Sequence, residues 1–314
     1  MELKVSIDLF SGRPNPFVIL NDVESKSLLK RISFGRLQKQ TEKTVPFPSM
    51  LGYRGIVIEQ VGKRISKSVF RRAQFTPDYA YVDNKIAGSD TLPGLESFIF
   101  DRIKTFKDVR GFKPFDVGLK KKVNDFWDKS PRWRDRHQKI YPELLIDFYY
   151  KIRFKSCYCA PVADLAAWNT DPYIQSQNNC YNYGTNYRTD TYAQPGYASG
   201  SEYNDLSACF VPPGNISARM GATADGLIAV KNNNTCPTVG HLVALVVEPD
   251  SDYHWYRKGR NGKWSHKMGG SPATLLDDSG DPISDPRTAD RGGYTDFCTF
   301  MQVIHGHFKI DGPY

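Results

Sequence analysis

The stretch GHLVALVVEPDSDYHWYRKGRNGKWSHK, residues 240–267, commits the C-terminal half of this chain to antiparallel sheet. HLVALVVE is apolar and β-branched, PDSD is a turn, YHWYRK alternates, GRNG is a second turn and KWSHK closes. Alternation punctuated by Gly, Pro, Asn and Asp predicts three consecutive strands.

The same stretch carries His241, His254 and His266, and strand geometry ranks their pairings. The midpoint of His254 and His266 is residue 260, close to the centre of the second turn. The two rings are therefore expected nearly opposite each other, about 5 Å apart if they share a face. His241 falls about six residues, roughly 20 Å, down its strand from the partner position of His254. A register slip of one residue would put one ring of the favoured pair on the other face.

Upstream, SQNNCYNYGTNYRTD sets Cys180 in polar company, although a free cysteine is more often a small core residue. Asn178 or Asn179 is a candidate cap for a short helix beginning at Cys180. A thiol at a helix N-terminus is expected to lean toward thiolate. The arrangement suggested is a thiol nucleophile, a histidine base and a polar group orienting that base. Structural roles compete at each position: an incidental thiol, a hydrogen-bonded sheet histidine beside Trp255, and a structural His266.

Over about residues 178–267, this order resembles the papain-like cysteine hydrolases, particularly the bacterial cell-wall endopeptidase branch. The resemblance implies Cys180 as nucleophile, His254 as base and His266 as orienting residue. It departs in the oxyanion glutamine, which such enzymes place six residues before the cysteine. Here Gln175 is five before and Gln177 three before, and both stay candidates beside the backbone N–H of Cys180. His241 matches the GHV-type motif of that branch and remains the reserve base. Tyr181, Tyr183 and Trp255 would wall the acyl site. The expected function is cleavage of a peptide or peptidoglycan-type amide bond through a thioester, by hydrolysis or acyl transfer, with no cofactor and no metal.

The N-terminal half reads as a small α+β unit, residues 1–106. KVSIDLF and PFVIL alternate around the turn SGRPN, which lacks the Lys-Ser/Thr of a phosphate loop. A helix follows, capped by Asn21 or Asp22. GYRGIVIEQ and FRRAQF read as further strands, and LPGLESFIFDRIKTF as a second helix. The expected fold is α+β: an antiparallel sheet with two helices, then a papain-like domain, residues 156–314, with a helix packed on antiparallel sheet. A basic helical connector, residues 107–155, joins them; in it YPELLIDFYYKIRF is the best amphipathic helix.

The formal net charge is +8, concentrated over residues 102–139, so an anionic partner is conceivable through the connector. No window approaches the roughly 18 apolar residues of a membrane span. The N-terminus lacks an apolar signal segment, which suggests a cytoplasmic protein or one exported without a cleaved signal. Six cysteines in 314 residues do not make a disulfide framework, although some would pair on export. Cys157 and Cys159 are too close together for ordinary zinc spacing. The Asp-rich tail, residues 275–301, lacks the spacing of a calcium loop and reads as an ordered cover. The alternative function is a non-catalytic binding or matrix protein recognising an anionic or polymeric partner.

Overall fold

The computed structural model describes residues 1–32, 38–39, 52–61, 70–75, 79–82, 85–88, 99 and 157–314 except 232. The chain divides into two compact units. One comprises Met1–Leu9, Asn15–Val45 and Tyr53–Ser130; the other comprises Phe10–Pro14, Pro46–Gly52 and Pro131–Tyr314. The basic stretch 102–139, the helix expected over 141–154, and all but residue 99 of the helix expected over 92–106 lie outside the described residues.

In the first unit the strands are β1 (Glu2–Asp8), β2 (Phe17–Leu20), β3 (Gln38–Lys39), β4 (Gly55–Val61), β5 (Arg72–Phe75), β6 (Tyr79–Val82) and β7 (Lys85–Gly88). They form one antiparallel sheet in the order β2-β1-β4-β5-β6-β7-β3, wider than the sequence suggested. Leu3, Val5 and Ile7 alternate into the core with Ile56, Ile58 and Leu28. Helix α1 (Asp22–Arg31) starts at Asn21, whose side chain accepts from Val23 and Glu24 while Glu24 reaches back. At the end of β1 the buried Asp8 carboxylate pairs with Arg54 at 2.7 Å and accepts from Asn15 and Gln74.

The second unit holds a six-stranded sheet in the order β12-β11-β10-β9-β13-β8, with every neighbouring pair antiparallel. The strands are β8 (Ile228–Ala229), β9 (His241–Glu248), β10 (Asp252–Lys258), β11 (Trp264–Lys267), β12 (Ala273–Thr274) and β13 (Asp296–Val303). The described helices are α2 (Leu165–Asn169), α3 (Pro172–Gln177), α4 (Cys180–Thr185) and α5 (Ala218–Ala224). Strand β9 is central and buried on both faces, which is why it is a continuous apolar run. Leu242, Ala244 and Val246 pack with Tyr256, Trp264 and Phe300 on one face. The other face carries Val243 and Trp255, against which α4 packs so closely that a Cβ on Gly184 would lie 3.2 Å from Cβ of Trp255.

Two disulfides cross this unit, Cys157–Cys236 and Cys209–Cys298, with Cα separations of 5.3 and 5.0 Å. They span 79 and 89 residues. Loops of that length correspond to about 4–5 kcal/mol each in the chain-entropy account. Cys159 is a free exposed thiol and Cys180 a free buried one. No helix among the described residues is long and apolar enough to cross a membrane.

Candidate functional site

The polar company of Cys180 is buried wiring. Asn179 caps α4 by accepting from Tyr181 and Asn182, and the Asn182 side chain returns a bond to the Asn179 backbone. Asn178 donates to the Ile174 carbonyl and the Asp190 carboxylate, while its own oxygen accepts from Thr189 and Asp190. All three asparagines are inaccessible to solvent. Buried amides of this kind stay stable only when their hydrogen bonds are met, and here they are.

The histidine pair forms, with a shifted register. Tyr256, rather than His254, lies directly opposite His266, because the tight turn closed by Gly259 and Lys263 centres the hairpin one residue later than expected. His254 is two residues along on the same face, and its Nε2 meets Nδ1 of His266 at 2.8 Å. The far nitrogen of His266 lies 2.8 Å from the Leu276 carbonyl, which only accepts. Burial pushes the His266 pKa down to about 4, with the Leu276 carbonyl partly opposing, so the neutral ring carries its proton on Nε2. His254 Nε2–H therefore donates to His266, and in the neutral ring Nδ1 of His254 accepts from the Ser11 hydroxyl.

Ser11 is the residue that sequence reasoning missed. It belongs to the segment Phe10–Pro14 of this unit, read from the sequence as an ordinary turn. Its hydroxyl contacts His254 and also hydrogen-bonds Cys180, so it stands at the base position proposed for the thiol. The segment is held mainly through its backbone. The buried Asp252 carboxylate accepts from the N–H groups of Ser11 (2.5 Å), Gly12 (3.2 Å) and Arg13 (2.9 Å), and from the Tyr294 hydroxyl (2.5 Å). Gly269 donates to the Ser11 carbonyl, and Asn179, Gln194 and Tyr253 donate to that of Gly12. Gly12 has no room for a side chain, since a Cβ would lie 2.4 Å from the Tyr253 ring. The turn chemistry of SGRPN and that lone glycine were the only signals available in the sequence.

The chemistry expected of Cys180 does not follow from this environment. The thiol is 0% exposed. Burial pushes its pKa far above the usual thiol range, and the Asp252 carboxylate adds to the effect. A six-residue helix does not overcome that desolvation. The expected acyl-site walls are core: Tyr181 donates to Asp225, Tyr183 to Ser265, and Trp255 is sealed beneath Gly184. Gln175 donates to the Gly270 carbonyl and Gln177 to the Ser176 hydroxyl. His241 is buried on the α4 side, with Nε2 on the Gly184 carbonyl and its pKa pushed down to about 3 by burial. Among the described residues, no cluster of three or more His, Cys, Asp or Glu side chains is arranged to hold a metal ion.

Labelling tests this closure. Iodoacetamide is expected to modify native Cys159 readily and Cys180 slower by roughly 100-fold or more, the difference vanishing in urea, as read by peptide mass spectrometry. Equal native rates would show the thiol to be open.

No family model matches the chain and no solved structure matches it. A curated protein does: insoluble matrix shell protein 1 of Ruditapes philippinarum, 51% identical over 142 residues that make up 43% of this chain and 85% of that protein. That relative bears a structural name and overturns the expected cysteine hydrolase, along with the peptidase and amidase activities derived from it. The remainder of this chain extends beyond the relative, but identity at that level across most of the relative's length is decisive. The chain belongs to the family of insoluble matrix shell protein 1.

Proposed function

We propose that this chain is an exported, non-catalytic matrix protein that associates with an anionic or polymeric partner. The observation carrying this reading is its 51% identity to a shell matrix protein. Two disulfides support export, because such bonds persist in oxidising compartments. The net charge of +8 supports an anionic partner. The thiol-bearing helix laid on antiparallel sheet, with its paired histidines, is in this reading a papain-like scaffold in a structural role. The Ser11 hydroxyl, on the segment Phe10–Pro14, contacts His254 and hydrogen-bonds the Cys180 thiol, and the peptide substrate falls together with the enzyme.

Retention of the full chain on beads of chitin and of a sulfated polysaccharide tests the reading. Binding to the sulfated beads is expected at low salt, with release as ionic strength approaches 1 M, where the Debye length falls to about 3 Å. Binding to chitin that survives the same salt would identify a neutral polymer as partner. Failure to bind either would overturn the matrix reading.

A further inference from the structure

Three sulfurs, two of them neighbours in sequence, lie close together in the fold of the second unit. Residues 157–160 form a turn closed by the Ala160 N–H on the Cys157 carbonyl at 2.9 Å. Turn geometry turns its two central residues outward: Tyr158 is 83% exposed and Cys159 is an exposed free thiol. The segment beginning at Cys236 runs alongside. Cys157 is bonded to Cys236, and two residues further along both segments the Cys159 sulfur meets the Thr238 carbonyl at 3.0 Å. Cys157 is buried at 3% exposure, whereas Cys236 is partly exposed. Val239, 53% exposed, borders the same patch. A free thiol and an accessible disulfide are therefore displayed side by side, which is what exchange chemistry needs.

We propose that Cys157, Cys159 and Cys236 form a thiol–disulfide exchange site through which copies of this chain become covalently joined, an inference that rests on the matrix reading above. The Cys159 thiolate of one copy attacks the Cys236 sulfur of a second. The new Cys159–Cys236 bond forms as the Cys157–Cys236 bond breaks, and Cys157 leaves as a thiolate that takes up the proton lost by Cys159. One disulfide and one thiol enter and one of each leaves, so no oxidant is consumed. Attack falls on Cys236 because it is the less buried half of the bond. The thiol released at Cys157 keeps the number of free thiols constant, so each joined pair still carries an unreacted Cys159.

The full chain, purified without reductant and incubated at mildly alkaline pH, provides the test. Non-reducing electrophoresis is expected to show a ladder that collapses with dithiothreitol. Peptide mapping should find Cys159 linked to Cys236 between isotopically light and heavy copies mixed beforehand. Cys159→Ser, an exposed and conservative change, should remove the ladder, whereas Cys180→Ser should leave it. A monomeric wild type, a ladder surviving in Cys159→Ser, or a Cys159–Cys236 link confined to single copies would each overturn the proposal. Polysaccharide retention by Cys159→Ser, measured alongside, separates failure of this inference from failure of the matrix reading.

Discussion

Asp252→Ala is expected to destabilise the second unit by about 3–5 kcal/mol, because it strands several buried hydrogen-bond donors at once. The carboxylate accepts from three consecutive backbone N–H groups and a tyrosine hydroxyl, and alanine would leave all four donors buried without it. Each stranded donor costs about 1–3 kcal/mol, less whatever water recovers. The urea midpoint should fall at an unchanged slope if the unit still unfolds in one step. Asp252→Asn keeps one acceptor oxygen and should lose roughly half as much. A second readout is local. With the segment Phe10–Pro14 released, Cys180 should become open to alkylation in Asp252→Ala under conditions where the wild type protects it. A loss under 1 kcal/mol, with Cys180 still protected, would mean that the carboxylate does not hold the segment.

Mild acid should also weaken this unit. Burial drives the pKa of His266 down to about 4 and that of His241 down to about 3. Both folded values lie below the unfolded one, near 6.5. Their contribution is therefore complete above about pH 6.5 and is lost progressively below it, the loss ending only once pH has fallen through 4 for His266 and 3 for His241. Between pH 6.5 and 4.5 the two rings together account for a loss of roughly 5 kcal/mol. Asp252 and Asp225 act in the opposite sense. Burial raises both carboxyls above the usual range, so acidification favours the fold at these two positions. The net fall is therefore smaller than the histidines alone would give. His266→Asn and His241→Asn should each flatten the pH slope of unfolding, whatever they do to stability at neutral pH. An unaltered slope in both variants would exclude the neutral, buried rings.

What the sequence disclosed was the part written in local pattern. The strands β9, β10 and β11 were legible because apolar alternation and turn residues recur there at strand spacing, and the start of α1 was legible to within one residue, Asn21 or Asp22, the structure choosing Asn21. The facing of His254 and His266 was legible for the same reason, to within two residues of register. The role of SGRPN was hidden. Its backbone amides bond a carboxylate about 240 residues away, and main-chain donors leave no mark on residue type. Cys180 was misread because a polar neighbourhood in sequence was taken for an exposed one, whereas Asn178, Asn179 and Asn182 are all buried and bonded. Tyr181, Tyr183 and Trp255 were assigned to a cleft, yet the close approach at Gly184 makes them core. The pairing of Cys157 with Cys236 and of Cys209 with Cys298 could not be chosen from an even count of six.

The two disulfides interleave, since Cys209 lies inside the loop closed by Cys157 and Cys236, and Cys236 inside the loop closed by Cys209 and Cys298. A protease that severs the backbone once anywhere from residue 157 to 298 therefore yields two fragments still tied by at least one sulfur bridge. Shedding material from between residues 157 and 298 takes a second cut or a reductant, so a single nick there leaves the covalent network in one piece.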